Sequence, residues 1–536
     1  MVFLAALSVL AVAAALLTFH YRILQGDALS RTYSAAVVLY DLHPRLANIG
    51  FIWAPLPTLL QIPLVLYRPL MTDGFAGALL TALAGALGLV LMDRILARHV
   101  PNRAVRFLLL FIYQTNVMIF YYSINGMTEV ILIAVALACW DQFERLNDEL
   151  SHANGVSQVA MMGICAGLTF LTRYEGSSFG VVMYLALLII LVANGRKLGG
   201  ISWSSTWRRL TLSEGAQVIE GYSLAYLTPF AYAVFLWLFF NWMIMGDPFS
   251  FMFGKGSNGQ QVATLLASSK SFASMKGNMF LSSIYAAKLS VLVFPGFYVA
   301  LLLLLLLAIH KRDPFAASLA VVTASFPAFQ ALMLYAGQSF GFTRFFIYII
   351  PFSIVALAYA FRMFTDVYHL RKGLVHTLLI SLTVLSSAMT LYGISTPDVA
   401  NSDDIVFVQA IVRNAPVDNY AGEKEIADYL AQIPSGRTIL TDDQQADHII
   451  MFTQQFERFV TTRNPDFINI VRNPVGQVDY VLVPHVDPSR DLIVQEHPGI
   501  YDYGAPFLRL ERVFTGKDSD WKLYRVVDPA HSKEGR

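Results

Sequence analysis

Residues 26–31, with the sequence GDALSR, place the Asp27 carboxylate and the Arg31 guanidinium four positions apart, just after the first apolar segment. A carboxylate can take a proton from a reacting hydroxyl group. A guanidinium can hold a phosphate through two parallel hydrogen bonds. Taken alone, Asp27 could equally be an ordinary loop carboxylate beside a membrane span, so the charged residues elsewhere in the chain must decide between the two interpretations.

Four other charged residues lie at the borders of long apolar runs. They are Glu129 in NGMTEV, Arg173 and Glu175 in TRYEG, and Arg344 in GFTRFFIYIIP. In the topology predicted below, all four lie on the same side of the membrane as Asp27. Charges at membrane depth are costly and are usually functional or paired. The alternatives are snorkelling side chains or a structural ion pair, for example between Arg173 and Glu129.

Arg344 is the most informative of these cations. It follows the glycine-containing stretch QSFGFT and precedes Phe345, Phe346 and Tyr348. A guanidinium at this place can bind a phosphate, and its aromatic neighbours can line a groove for a lipid tail. Positive charge beside a departing phosphate provides the electrostatic stabilisation that its departure requires.

The composition shows what kind of protein must position these residues. Of 536 residues, 56% are hydrophobic and 14% are charged, whereas soluble domains carry about 25% charged residues. The mean hydropathy is +0.54. These values indicate a polytopic α-helical membrane protein. The formal net charge of +1 does not suggest a nucleic-acid partner, and Cys139 and Cys165, both in apolar runs, do not suggest a disulfide framework.

Long uncharged runs locate the membrane spans, because about 20 apolar residues cross the hydrocarbon core. The sequence predicts about eleven spans, of which 128–140 is short enough to be tilted or partly buried in protein. The predicted spans are 2–19, 74–92, 107–122, 128–140, 157–172, 177–194, 221–245, 289–309, 314–337, 345–361 and 373–393.

The distribution of Lys and Arg predicts the orientation, since these residues concentrate in cytoplasmic loops. With a cytoplasmic N-terminus and an uncleaved first span, dense basic clusters fall inside and the C-terminal region falls outside. The acidic loop 141–156 would also lie inside, against this trend. The basic clusters lie within 94–106, 196–209, 311–312 and 362–372.

Two long outer segments are not predicted to be spans. Segment 20–73 includes an apolar stretch, 43–64, that contains Pro44, Pro55, Pro57 and Pro63. Proline breaks helices, so we expect short helices lying at the membrane interface with aromatic anchors. Segment 246–288 is rich in Ser and Gly and is predicted to be a mobile loop suited to gating or covering a substrate.

From about residue 396 the composition becomes that of a soluble domain. Helical patterns alternate with short β-branched runs, which predicts an α/β domain with a partly parallel sheet. We expect a helix over 422–432 and a final hairpin across 517–520. The domains are therefore a transmembrane part, residues 1–395, and an extracytoplasmic α/β domain, residues 396–536.

One stretch of this domain, TDDQQADH at 441–448, could be taken for a metal site. It brings together Asp442, Asp443, Asp447 and His448. A strand end followed by a helix cap explains it better, because Asp is favoured at helix N-termini.

A first-loop carboxylate, amphipathic helices in that loop, many spans and an outer C-terminal domain together resemble the GT-C superfamily of membrane glycosyltransferases. Within it, residues 1–393 are similar to prokaryotic relatives of protein O-mannosyltransferases and of the lipid A aminoarabinose transferase, which are glycosyltransferase family 39-like. The segments that carry the resemblance are GDALSR, HPRLANIGFIWAPLPTLL, NGMTEV, RYEG and GFTRFFIYIIP.

The resemblance implies an inverting transfer of a sugar from a polyprenyl-phosphate donor to a hydroxyl group of a lipid, glycan or protein, outside a prokaryotic plasma membrane. The family's first-loop acid maps onto Asp27, as the general base, and its late-span arginine maps onto Arg344, as a ligand of the donor phosphate. Arg173 and Arg31 would assist Arg344. The candidates for binding the sugar are Glu129, Glu175 and Tyr174, with Asp41 and His43 in second rank.

Alternative roles stay open at this point. Glu129 could orient an arginine, and Tyr174, like Trp53, could be a membrane-belt residue. Many family members carry paired acids in the first loop, but the next acid after Asp27 is Asp41. We therefore expect no cofactor, and a divalent metal is not supported.

Other classes of function fit the sequence less well. A transporter or flippase would favour charges in the middle of spans and internal repeats, which the sequence does not show. A non-catalytic scaffold leaves the outer charges unexplained. The nearest alternative is a glycan polymerase or ligase of the same fold that uses a lipid-diphosphate donor.

Overall fold

The computed structural model describes residues 2–148, 155–199, 214–254, 257–397, 402–516 and 520–528. Within them the chain forms a bundle of long helices followed by a small domain built on a sheet. The helices of the bundle are α1 (Val2–Ala15), α2 (Gly26–Tyr40), α3 (Leu56–Val65), α4 (Phe75–His99), α5 (Arg103–Thr115), α6 (Val117–Tyr122), α7 (Glu129–Asp148), α8 (Gly155–Thr172), α9 (Gly176–Gly199), α10 (Glu214–Met245), α11 (Ser250–Phe253), α12 (Asn258–Ser268), α13 (Lys270–Met275), α14 (Met279–Val293), α15 (Gly296–His310), α16 (Pro314–Ala336), α17 (Ile349–Tyr368) and α18 (Lys372–Ser395).

Among the described residues, eight helical segments are long and apolar enough to cross a membrane. They are Val2–His20, Arg68–His99, Gly155–Thr172, Gly176–Asn194, Gln217–Met245, Pro314–Ala336, Thr343–Val367 and Lys372–Ser395. Each corresponds to one predicted span, and the polytopic helical fold is confirmed. The predicted count of eleven is not.

The three other predicted spans differ from straight crossings. The span 289–309 is wrong as a single helix, because α14 and α15 meet at a bend of 106°, where Pro295 lacks the backbone donor that a continuous helix requires. The run 107–122 is divided at Asn116, whose side chain accepts from the amides of Met118 and Ile119 and so starts α6. The short run 128–140 is the first part of the longer helix α7.

Helix α7 lies at the centre of the bundle, packed against α4 and α8. Most of its residues from Val130 to Trp140 are buried. The loop before it turns at Gly126, with φ +80°, and a Cβ there would lie 2.9 Å from the Cβ of Ala28. This close approach brings the start of α7 beside the start of α2.

The first long loop contains helices α2 and α3 and two 3-10 turns, at Leu46–Ile49 and Arg68–Gly74. Pro55 and Pro57 stand at the start of α3, where a missing amide hydrogen is tolerated. The second long loop holds the short helices α11, α12 and α13.

The C-terminal domain confirms the predicted partly parallel sheet. The strands are β1 (Ile439–Leu440), β2 (Phe459–Val460), β3 (Tyr480–Pro484), β4 (Leu508–Thr515) and β5 (Asp520–Val526), in the order β2-β1-β3-β5-β4. Strand β1 is parallel to β2 and β3, and β5 is antiparallel to β3 and β4. The predicted hairpin pairs β4 with β5, although 517–519 lie outside the described residues.

Among the described residues, six α-helices and two 3-10 turns accompany this sheet. The helices are α19 (Ser402–Arg413), α20 (Ala421–Gln432), α21 (Asp443–Thr453), α22 (Phe467–Arg472), α23 (Leu492–Glu496) and α24 (Ile500–Tyr503), and the turns are Phe456–Arg458 and Pro488–Arg490. Helix α20 matches the predicted helix over 422–432. The domain packs against α2, and the end of the bundle that meets it is called the domain end below.

Candidate active site

Asp27 lies in the first turn of α2, which starts where Gln25 is still extended. A carboxylate is favoured there by the positive end of the helix dipole. One of its oxygens lies 3.3 Å from Nη2 of Arg344, and the side chain is 42% exposed. Burial raises the pKa of Asp27, but the charges of Arg344, Arg31 and Arg173 lower it by more. The pKa of Asp27 therefore lies below its ordinary value. Asp27 is therefore ionised and accessible.

Arg344 stands in a 3-10 turn, Thr343–Phe346, that precedes α17. Besides Asp27 it faces Glu129, with 3.7 Å between Nε and Oε1. Its guanidinium carbon lies 5.0 Å from the ring centre of Phe342 and 5.6 Å from that of Phe345. Arg344 thus joins the first-loop carboxylate to the first residue of α7.

The predicted ion pair between Arg173 and Glu129 is present, with Nη1 donating to Oε1 at 2.8 Å. Arg173 also donates to both oxygens of Glu175, at 3.1 and 3.2 Å. Burial raises the pKa of Glu175, but Arg173 lowers it more, and the net shift is downward. Glu129 is fully buried, so its carboxylate contacts the two arginines and not solvent.

Arg31 lies one helical turn after Asp27 and is 5% exposed. Its Nη1 donates to the carbonyl of Asp27 at 3.3 Å, and its guanidinium carbon lies 4.6 Å from the ring centre of Trp53. Burial, assisted by the charges of Arg173 and Arg344, lowers the pKa of Arg31 to about 10. Within the described part of the chain it forms no ion pair with a carboxylate, which leaves its charge available to an anion.

Six predicted residues therefore come together, and they are called the site cluster below. They are Asp27, Arg31, Glu129, Arg173, Glu175 and Arg344. Several buried polar atoms among and beside them have no hydrogen-bond partner in the described structure, namely Nε of Arg31, Nε of Arg344, Oε2 of Glu129 and Oη of Tyr348. Such atoms are costly in a folded protein and call for an explanation, of which a missing ligand is one.

Three other predicted residues have different surroundings. Tyr174 donates to the carbonyl of Ile52 at 3.0 Å and its ring stacks on Phe251 at 4.6 Å. Asp41 and His43 follow the far end of α2, about 20 Å along the helix from Asp27 at 1.5 Å per residue. Asp41 accepts from the amide of His43, and burial raises its pKa. The structure does not bring this pair to the site cluster.

One residue of the site was missed in the sequence. Asp404, in the first turn of α19, accepts from Tyr122 at 2.8 Å and from Thr343 at 3.1 Å. It is buried and braces the turn that carries Arg344. No local signal could have found it, because it follows the last span by only a few residues and looks like an ordinary helix-start acid.

The acidic stretch of the C-terminal domain is a helix cap, as predicted. Asp442 accepts from the amide of Gln444 at 2.9 Å at the start of α21, and Asp443 pairs with Arg463 at 2.7 Å. Among the residues that the structure describes, no group of three or more His, Cys, Asp or Glu side chains is arranged to hold a metal ion.

The described chain thus combines a helical bundle, a carboxylate-bearing helix in the first long loop and a mixed-sheet domain that packs against that helix. The chain is similar to ArnT from Cupriavidus metallidurans bound to undecaprenyl phosphate, with a TM-score of 0.54, 11% identity and coverage of 97% of both chains. It is similar to the same protein in the apo state, with 14% identity and the same TM-score and coverage. These likenesses show the GT-C fold.

A further likeness is to the archaeal oligosaccharyltransferase AglB from Archaeoglobus fulgidus, in complex with an inhibitory peptide and a dolichol-phosphate. Its TM-score is 0.45, with 13% identity over 90% of this chain and 69% of that chain. No protein-family model matches the sequence, and no curated protein matches it.

Proposed function

We propose that this chain is an inverting glycosyltransferase that moves a sugar from a polyprenyl-phosphate donor to a hydroxyl group of a lipid, glycan or protein. The observation that carries the proposal is the contact of Asp27, the candidate base, with Arg344, the candidate phosphate ligand. Beside them lies Arg31, which forms no ion pair with a carboxylate among the described residues and whose Nε has no hydrogen-bond partner there. The similarity in fold to ArnT, which was solved with undecaprenyl phosphate bound, agrees with such a donor.

In the proposed reaction, Asp27 takes the proton of the acceptor hydroxyl as the hydroxyl oxygen attacks the anomeric carbon of the sugar. The bond between that carbon and the phosphate oxygen breaks on the opposite side, through an oxocarbenium-like transition state. Arg344 and Arg31 stabilise the negative charge that remains on the lipid phosphate. Glu129 and Glu175 hold Arg173, and Glu129 also faces Arg344, so both carboxylates are assigned to positioning rather than to sugar binding.

The donor phosphate also affects the base. A phosphate that accepts from Arg344 competes with Asp27 for the same guanidinium. When Arg344 turns to the phosphate, Asp27 loses the nearest of the charges that lower its pKa, and its affinity for the acceptor proton rises. Binding of the donor would thus prepare the base. In this proposal the domain end faces the extracytoplasmic side, and residues 1–395 and 396–536 are the catalytic and soluble domains.

The test uses the full chain reconstituted in liposomes, with a membrane extract as the source of acceptors. Radiolabelled polyprenyl-phosphate sugars are compared with polyprenyl-diphosphate sugars, and transfer is measured for the wild type and for Asp27→Asn. We expect transfer from a monophosphate donor, reduced about 10²–10⁴-fold by Asp27→Asn. The control is Asp41→Asn, at the other end of α2, which should transfer normally.

Full turnover by a well-folded Asp27→Asn protein would contradict the assignment of the base. Transfer from the diphosphate donors alone would favour the polymerase or ligase alternative.

A further inference from the structure

The C-terminal domain contacts the very turn of α2 that carries Asp27. Nε2 of His448 lies 3.2 Å from the carbonyl oxygen of Gly26 and 3.1 Å from Oγ of Ser30. The hydroxyl of Ser30 donates to Asp447, the residue before His448 on α21. Because a carbonyl oxygen can only accept, Nε2 of His448 must carry the hydrogen. The three side chains therefore form one consistent set of hydrogen bonds.

The two elements approach each other closely at Gly26. A Cβ at Gly26 would lie 2.9 Å from the hydroxyl oxygen of Tyr420 and 3.5 Å from a ring carbon of His448. The ring of Tyr420 meets that of His448 edge to face, with 5.0 Å between centres. A side chain at this position would therefore have to displace Tyr420, and the start of α2 packs closely against the domain.

The segment that leads into α2 is held by the same domain. Asn419 accepts from the amide of Leu24 at 3.1 Å and donates to its carbonyl at 2.9 Å. The amide of Val417 donates to the carbonyl of Tyr21 at 3.0 Å. These backbone contacts fix the entry of the chain into the helix.

The spacing of residues along α2 shows how contacts with the domain on one face of the helix can fix the residues on the neighbouring face. Gly26 and Ser30 are four residues apart and lie on one face of the helix, while Asp27 and Arg31 lie on the next face, about 100° further round. The domain binds the first face, and the second face is turned toward Arg344. Any rotation or tilt of the first turn would move Asp27 relative to Arg344.

We propose that His448 and Asp447 are positioning residues, which fix the first turn of α2 and thereby aim Asp27 and Arg31 at the site cluster. The C-terminal domain is then part of the catalytic structure rather than a separate module. This inference rests on the proposed glycosyl transfer for its kinetic consequence, but its structural consequence can be measured without any substrate.

The experiment compares four full-length variants in liposomes. His448→Ala removes the donor, His448→Gln keeps an N–H donor at a similar position, and Ser30→Ala removes the shared hydroxyl. The matched control is His497→Ala, because His497 also contacts a backbone carbonyl, that of Val471 at 2.8 Å, but within the domain. Amide hydrogen exchange over residues 26–31 is measured without donor, and kcat and KM are measured for transfer.

We expect His448→Ala to speed exchange over residues 26–31 and to lower kcat about 10–100-fold, since small misplacements of a catalytic group have effects of this size. The KM for the donor should change by less than the kcat. His448→Gln should restore most of both losses, Ser30→Ala should show a smaller effect in the same direction, and His497→Ala should resemble the wild type.

Unchanged exchange in His448→Ala would overturn the positioning role, whatever the kcat. Faster exchange with an unchanged kcat would also overturn it and would leave His448 as a docking contact only. If the wild type transfers no sugar at all, the proposed function fails, and the exchange data still report whether His448 fixes the helix.

Discussion

The two ends of helix α7 each carry buried carboxylates surrounded by arginines, but the two groups are built differently. At the domain end, Glu129 belongs to the site cluster. Near the other end, Asp141 and Glu144 belong to a second group, called the far cluster. Its members are Asp141, Glu144, Arg94, Arg98 and Arg145.

The far cluster is the more closely paired of the two. Asp141 contacts three guanidinium groups at 2.6 to 3.2 Å, and Glu144 contacts Arg98 at 2.8 Å and also accepts from Trp140 at 2.7 Å. In the site cluster, by contrast, Arg344 is 3.3 Å from one carboxylate and 3.7 Å from another, and Arg31 has no carboxylate partner among the described residues. Closely paired charges stabilise one structure, whereas a more loosely paired guanidinium has charge to offer a ligand.

The comparison predicts that the far cluster matters for folding more than for chemistry. Asp141→Asn leaves three guanidinium groups around a neutral side chain, and removing one partner of a buried charge network costs about 3–5 kcal/mol. Unfolding in detergent micelles, followed by tryptophan fluorescence, measures this loss. Transfer per folded molecule should stay within a few-fold of the wild type.

A control for this variant exists on the surface. Asp366 pairs with Arg362 at 3.7 Å, and both side chains are largely exposed, so Asp366→Asn should change stability by less than about 1 kcal/mol. If Asp141→Asn were as stable as Asp366→Asn, the far cluster would not be the structural network that its distances suggest.

In the site cluster, Arg344→Gln should lower the rate of transfer strongly and change the stability of the fold only slightly. Removing a group that stabilises charge in the transition state costs about 10²–10³-fold in kcat. The fold should tolerate the change, because Glu129 keeps Arg173 and Asp27 is partly exposed. Transfer kinetics and the unfolding assay are measured on the same sample. A large loss of stability with a normal kcat would reverse the assignment of the two clusters.

Much of the site cluster could be predicted because its charged residues lie at the ends of long uncharged runs. A charge at such a place is costly unless it is paired or functional, so each of these residues stands out in the sequence. The positions of Arg173 and Glu129 suggested either snorkelling side chains or an ion pair as structural roles, and the ion pair is present. The bracing of the turn Thr343–Phe346 by Asp404 could not be predicted. The bond from Thr343 joins residues 61 positions apart, and the bond from Tyr122 joins residues 282 positions apart. The same is true of His448 on Gly26, 422 positions apart.

The fold, too, has features that the sequence pattern predicts and features that it does not. Apolar length located the eight segments that could cross a membrane, and β-branched runs located the sheet. The bend between α14 and α15 was missed, because hydropathy averages over Pro295 without registering its missing amide hydrogen. Asp41 was a second-rank candidate for binding the sugar, but a straight helix carries it about 20 Å from Asp27.

A smaller effect is expected on the pH dependence of transfer. The pKa of Asp27 is lowered, so its carboxylate persists as the pH falls and activity is lost only when the pH falls through that lowered pKa. Arg31→Gln removes one of the charges responsible, which raises the pKa of Asp27. The acid limb of kcat/KM should therefore move to higher pH. The control is Arg68→Gln, because Arg68 lies beside Tyr40 at the other end of α2, and this variant should leave the acid limb in place. If the acid limb does not move in Arg31→Gln, the charge of Arg31 does not influence the pKa of the catalytic base.

The smallest effect is expected for Glu175→Gln. Glu175 contacts only Arg173 within the site cluster, and Arg173 keeps its 2.8 Å bond to Glu129 when Glu175 is neutralised. The lost charge-assisted hydrogen bonds are partly replaced by the amide, so about 1 kcal/mol, or roughly five-fold in kcat/KM, should disappear. Transfer assays at saturating and limiting donor measure this change. An effect as large as that of Arg344→Gln would mean that Glu175 contacts the substrate, and the ligand-binding part of the cluster would then extend to Arg173 as well.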